Sequence, residues 1–221
     1  MKSLLERGRM TATMRHAPPM LNRRQLFLLA GAAVRLGASD TDFWNSKPAA
    51  EWSTGDIYRL ANHSPWANPV QSWTRTNPVR GSGSGNGADW PPPTEWGPKG
   101  VITWESARPL REALKTRLPR VFANCYVIGV DGIPLGYARG ADYLRQFTVL
   151  RSKGKVKWTV RPRVAGELIR NSVVYAFGFP KAAAPIDPEM GEVYFESQFG
   201  RWTVQTRFRP RDMLYRGQLA L

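Results

Sequence analysis

The chain has 221 residues, with 32 Lys+Arg against 17 Asp+Glu for a formal charge of +15, and is 42% hydrophobic and 11% aromatic. That apolar content suffices for a core and excludes wholesale disorder, while the length suits one domain with an appendage. One cysteine, Cys125, and two histidines, His16 and His63, exclude an intrachain disulfide scaffold and a multi-histidine metal centre. No apolar run reaches the roughly 18–20 residues of a membrane-spanning helix.

Arg23 and Arg24 precede a short apolar stretch from Leu26 to Val34 that contains the small residues Ala30, Gly31 and Ala32. The pattern resembles a twin-arginine export signal. The paired cations stay on the cytoplasmic side while the apolar segment enters the membrane, and small residues fit the peptidase that cuts behind it. Residues 1–38 are therefore expected to be a signal peptide, cut after Ala32 or Ala38, with 1–19 upstream of a compact signal starting at Met20. The competing account is a basic tail running into a buried first helix, and Arg35 close behind the apolar run suits neither well. Residues 1–39 hold seven basic side chains and one acid, so an exported chain keeps +9 of the +15, with His63 as its sole imidazole. The expected location is beyond the inner membrane, periplasmic or secreted.

Residues 40–73 are polar with spaced aromatics, Phe43-Trp44, Trp52, Trp66 and Trp73, and read as a Trp-rich arm. Within it, Ser53 and Asp56 have capping-box spacing, so a short helix is expected to follow, carrying Ile57, Leu60 and Ala61 on one face. Ser64-Pro65 ends that pattern, because proline cannot donate to the helix ladder. Residues 74–100, with six glycines and five prolines, read as an exposed linker.

The main domain is expected over 101–221. Val101–Trp104 is a strand candidate, and Leu110, Ala113, Leu114 and Leu118 share a helical face with Pro109 in the first turn. Tyr126–Val130 is a continuous apolar strand closed by Asp131-Gly132. Leu144, Phe147 and Leu150 place a second helix over 141–151. Strands follow at 156–160, 173–179, 192–195 and 202–208, the last two forming a hairpin that turns near Phe199-Gly200. The order β-α-β-α-β-β-β-β implies an α+β domain with a mixed sheet, largely antiparallel in its C-terminal half.

The serines of the Gly-Ser tract at 81–87 are out of register for a Gly-x-Ser-x-Gly nucleophile elbow, and the phosphate-binding glycine motifs are absent. No cofactor and no metal are expected. Cys125 could act as a thiolate beside His63, but Phe122 and the run Tyr126-Val127-Ile128 place it in a core strand as a small hydrophobe. A glycosidase needs two carboxyls roughly 5–9.5 Å apart. Glu105, Glu112, Asp187, Glu189, Glu192 and Glu196 are the available acids. The competing account makes Glu105 a charge ahead of the helix, and Glu192 and Glu196 cross-strand partners of basic residues. No catalytic residue is assigned.

The basic residues form the more informative pattern. Lys153, Lys155, Lys157, Arg161 and Arg163 fall on alternate positions, as do Arg201, Arg207 and Arg209. Two strands would then each present a cationic face, with Val156, Trp158, Val160 and Trp202, Val204, Phe208 inward. Lys155, Lys157, Arg161, Arg207 and Arg209 are the candidate ligand-binding residues, for an anionic polymer or envelope component. The alternative is a solvated outer face that guards the sheet against edge pairing. No specific nucleic acid is expected, since no recognised binding motif is present. Seven of the nine tryptophans lie between 44 and 104. Exposed, they would stack on sugar rings; buried, they would anchor the arm.

The segments Glu51-Trp52-Ser53, Ser64-Pro65-Trp66-Ala67 and Arg211-Asp212-Met213-Leu214-Tyr215-Arg216-Gly217-Gln218-Leu219 resemble a group of exported bacterial proteins associated with Acidobacteria. The likeness covers about residues 42–221 and rests on these short segments. It implies an export signal and supplies neither an activity nor a site residue. The leading expectation is an exported, non-enzymatic binding or envelope-associated protein. Its rivals are a carboxylate-dependent hydrolase acting on glycans and a polyanion binder using the two basic strands.

Overall fold

A computed structural model of the protein describes residues 42–74, 95–135, 140–153, 156–169 and 172–221. Arg23 and Arg24, the glycine tract and Lys155 lie outside the described residues. In chain order the elements are α1 (Phe43–Ser46), α2 (Thr54–Asn62), β1 (Ala67–Thr74), β2 (Glu95–Trp104), α3 (Arg108–Leu114), β3 (Cys125–Asp131) and α4 (Gly140–Gln146). They continue through β4 (Thr148–Ser152), β5 (Thr159–Val160), β6 (Val164–Ile169), β7 (Val173–Pro180), β8 (Val193–Phe199), β9 (Trp202–Phe208), β10 (Leu214–Tyr215) and β11 (Gln218–Leu219).

Among the described residues nine strands form one sheet in the order β5-β4-β8-β9-β1-β2-β3-β7-β6, and β10 and β11 pair separately. Every pairing among the described strands is antiparallel, so the expected mixture with parallel strands is not found there. The class is α+β as expected, but the strand order differs. Laid flat, β8 and β7 would stand about 24 Å apart, five strand spacings. Yet Phe177 and Phe179 of β7 meet Phe195 of β8 with ring centroids 5.7 and 6.3 Å apart, and Tyr175 meets Phe199 at 5.9 Å. The sheet therefore curls until its inner face closes on a core of aromatic side chains.

Alternation along the strands divides the β2–β3–β7 region into two faces. Ile102, Trp104, Tyr126, Ile128, Val130 and Phe177 enter the main core. Cys125, Val127, Val174 and Ala176 face the other way, under Phe122 and Leu118. Leu118 thus belongs to the chain that crosses the outer face. The helix expected to carry it stops at Leu114, where Lys115 turns left-handed at φ 51°.

The largest departure from expectation concerns the arm and linker. Thr41–Leu221 forms one compact unit. β1 occupies the middle of the sheet, and β2 begins at Glu95, inside the expected linker, to pair with it. Pro69 is tolerated because β1 bonds β9 only at Trp73 and Thr74, so at position 69 no β9 neighbour needs an amide hydrogen. Trp44, Trp52, Trp66, Trp73 and Trp104 are all buried, in keeping with anchoring, whereas Trp96 is 61% exposed.

The second expected helix is also shorter. It ends at Gln146, and the β-branched Thr148-Val149 opens β4, which pairs with β8. Among the described residues six strands of the nine-stranded sheet follow α4, with β10 and β11 beyond them, in place of the four expected. Of 156–160 only Thr159-Val160 is strand, because Ser152 bonds the Val156 carbonyl through its hydroxyl and the Trp158 carbonyl through its amide, closing a turn that leaves Val156 exposed.

Candidate functional site

Of the C-terminal basic residues, Arg207 lies in β9, and Arg201 and Arg209 flank it. In β9, Val204 and Phe208 are buried, and Arg207 stands opposite Tyr194 of β8 on the outer face. Tyr194 is the hub of this face. Its hydroxyl donates to Glu192 at 2.5 Å, and the cationic groups of Lys153 and Arg151 lie 4.8 and 5.9 Å from its ring centre. Arg209 donates to the same Glu192 carboxylate at 3.1 Å and Arg207 approaches it at 3.6 Å. The Tyr194 hydroxyl first, then the two guanidinium groups, hold the Glu192 carboxyl below the usual carboxylate range. The Tyr194 phenol, bound to that carboxylate, is raised in turn. Glu196 pairs with Arg151 of β4 at 3.6 Å, so both glutamates act as cross-strand partners of basic residues.

Arg207 and Arg209 also rim a hollow of about 250 Å³, lined with Pro65, Asn68, Phe208 and Asp212. It exists because β1 and β9 part company beyond Trp73. Asn68 bridges part of the gap by donating to the Arg207 carbonyl at 3.1 Å. Two guanidinium groups share one carboxylate there, and their side chains remain 59% and 43% exposed.

The other basic strand is not assembled in the same way. Arg161 turns back and donates to the Gln146 carbonyl at the end of α4. Arg163 donates to the Ala123 carbonyl at 3.1 Å and lies 3.6 Å from the Cys125 sulfur. Lys157 is exposed on the turn before β5. Cys125 itself is buried, as expected of a core strand.

A second hollow, which the sequence did not suggest, lies over β2 and β3 on the outer face. It measures about 390 Å³ and is lined by Ala61 and Asn62 from the end of α2, Val101 and Thr103 from β2, Leu114, Thr116, Asp131 and Ser172. Register puts Val101 opposite Asp131 and Thr103 opposite Gly129, so all four belong to one face. Asp131 accepts from the Ser172 hydroxyl at 2.7 Å. The Thr103 hydroxyl is buried, its residue 1% exposed, and has no hydrogen-bond partner among the described residues. Beside it Glu105, expected as a surface charge ahead of α3, is buried and lies across β3 at Gly129, where a Cβ would meet its Oε1 at 2.7 Å. Two sequence signals bear on this hollow: the Val-Ile-Thr-Trp alternation, which turns Thr103 away from Trp104, and Asp131 at the strand's end.

The remaining acids are spread over the molecule. Asp56 pairs with Arg59, Glu95 with Arg201, and Glu112 accepts from the Tyr215 hydroxyl while lying near Arg108. No group of three or more His, Cys, Asp or Glu able to hold a metal occurs among the described residues. Compared with known protein families, curated proteins and solved structures, the chain matches none.

Proposed function

We propose that the chain is an exported, non-enzymatic binding or envelope-associated protein, and that it engages anionic groups of a polymer at the β8–β9 face. The observation that carries this reading is the pair Arg207 and Arg209: two guanidinium groups converge on the single Glu192 carboxylate at the rim of a hollow whose other acid, Asp212, is paired with Arg211 at 3.6 Å. Guanidinium forks match phosphate, sulfate and carboxylate oxygens, and Lys153 over Tyr194 adds a further cation on the same face. Lys155, Lys157 and Arg161 extend the basic surplus along the sequence and are assigned a secondary, steering role. The pairing of Asp56, Glu95, Glu192 and Glu196 with arginines supports binding over carboxylate catalysis at those acids. The Arg23-Arg24 segment supports export, as does the resemblance of the Trp52, Trp66 and C-terminal segments to exported bacterial proteins.

The test is retention of the full-length protein on a heparin resin over a salt gradient. Exposed charges are screened, so elution by moderate salt is expected, and at clearly lower salt for Arg207→Gln/Arg209→Gln. Elution of that variant at the wild-type salt concentration would overturn the assignment of these residues. Immunodetection in periplasmic and cytoplasmic fractions tests export. A shortened periplasmic form is expected, and Arg23→Lys/Arg24→Lys should leave the full-length form in the cytoplasm.

A further inference from the structure

At the hollow over β2 and β3, three features coincide among the described residues: a cavity, a buried hydroxyl without a partner, and a carboxylate without a cation. We propose that this hollow binds a small ligand through a primary ammonium group, a function separate from the anion-binding face. Asp131 supplies one negative charge, and among the described residues neither lysine nor arginine lines the cavity. Every hydrogen bond already made there leaves acceptors over. Ser172 gives its single hydroxyl hydrogen to Asp131 and keeps its lone pairs. Asn62 gives an amide hydrogen to the Tyr58 carbonyl at 2.9 Å and keeps its carbonyl oxygen. Thr103 and Thr116 add hydroxyl oxygens, the first of them buried and unused.

An ammonium group carries three donors and a positive charge, which answer the acceptor oxygens and the negative charge of this inventory. A neutral alcohol would satisfy hydrogen bonds and leave the charge unmet, and an anion would be repelled. Thr103 and Asp131 are diagonal neighbours across β2 and β3, with Cα atoms about 7–8 Å apart, too far for a direct bond and close enough for one small group to bridge. Ala61, Val101 and Leu114 supply an apolar wall for a short alkyl body. Gly129, opposite Thr103, makes room for the Glu105 and Val174 side chains that border the hollow, which a Cβ there would meet at 2.7 and 2.6 Å.

The experiment titrates the full-length protein with n-butylammonium chloride, followed by saturation-transfer NMR on the ligand, alongside n-butanol and tetramethylammonium chloride. A saturable signal with a Kd of about 1–10 mM is expected for butylammonium, in keeping with so small a ligand. The two controls, lacking the charge or the N–H donors, should bind about tenfold more weakly or worse. Thr103→Val and Asp131→Asn should each weaken butylammonium by about tenfold or more while leaving heparin retention unchanged. Should Asp131→Asn fail to fold, Thr103→Val and the control probes on the wild type still decide the matter. The proposal is overturned by any of three results: no saturable signal below about 100 mM in the wild type, equal binding of either control, or wild-type affinity in the variants.

Discussion

The clasp that joins the amino-terminal segment to the carboxy-terminal hairpin and the hollow over β2 and β3 both set polar atoms against apolar walls. They differ in whether those atoms find partners within the chain. In the clasp the Trp66 indole donates to the Ala220 carbonyl at 2.7 Å, the Trp52 indole to Lys47 at 3.2 Å, and the Tyr215 hydroxyl to Glu112 at 2.7 Å. Asn45 accepts from the Arg216 amide at 2.8 Å. Arg108 and Arg216 lie 5.0 and 4.9 Å from the Tyr215 ring centre. The segments around Trp52, Trp66 and Tyr215 thus meet in one place and join the first described segment to the C-terminal hairpin. In the hollow, by contrast, among the described residues Thr103 is buried without a partner and Asp131 has only a hydroxyl. A region that satisfies itself is built to stay shut; one that leaves polar atoms over has capacity for something else.

The sharpest way to break this comparison is to remove the clasp's centre. Trp66 is fully buried and packs edge-on against Trp44 at 5.4 Å, so Trp66→Ala should cost about 3–5 kcal/mol in urea unfolding. Trp66→Phe keeps most of the apolar volume and orphans the Ala220 carbonyl, for a loss of about 1–3 kcal/mol. A loss below about 1 kcal/mol for the alanine variant would mean that the Trp66 segment and the C-terminal hairpin are not held together by this contact.

Smaller effects are expected where a single cap is lost. Ser53 accepts from the Asp56 amide at 3.1 Å and Asp56 accepts from the Ser53 amide at 3.0 Å. Ser53→Ala should cost about 1 kcal/mol, read from the same unfolding curves. Asp56 also gives the clasp side a pH signature. The Arg59 guanidinium and the Ser53 amide hold its carboxyl at about 2, against an ordinary value of 3.8. A lowered folded-state value contributes stability that is fully present above about pH 4 and fades as the pH falls toward 2. Unfolding measured across that window should therefore show an acid limb that shrinks in Asp56→Asn. An unchanged limb would place the acid sensitivity in other carboxylates.

What the sequence made legible follows the same division between local and distant causes. The Ser53–Asp56 box, the β8–β9 hairpin with Gly200 at φ 61°, and the buried Cys125 strand are written within a few neighbouring residues. β1 was not legible, because Ala-Asn-Pro-Val-Gln-Ser-Trp-Thr has no clean alternation and owes its conformation to pairing with β2 across the glycine-rich segment. Arg207 and Arg209 were identifiable from alternation, but their shared carboxylate depends on β8 lying beside β9. Arg161 was misleading for the same reason: alternation set it on a cationic face, and the fold uses it to cap α4. The residues of the outer hollow come from five separate stretches of chain, and only the strand register brings Thr103 and Asp131 onto one surface.

The smallest expected effect is also the one with the opposite sign, and it decides what the hollow is. If Thr103 served the fold, replacing its hydroxyl with a methyl of the same shape would remove a bond and lower stability. Its oxygen has no partner, so Thr103→Val relieves a buried polar group and should leave the free protein unchanged or raise its stability by up to about 1 kcal/mol. Ser172→Ala is the matched control, since it deletes a bond that is made, and it should lower stability slightly by freeing Asp131. A neutral or stabilising Thr103→Val that also loses ammonium binding would mark the hydroxyl as kept for a ligand. A destabilising one would return Thr103 to the fold and make the hollow part of the clasp's logic.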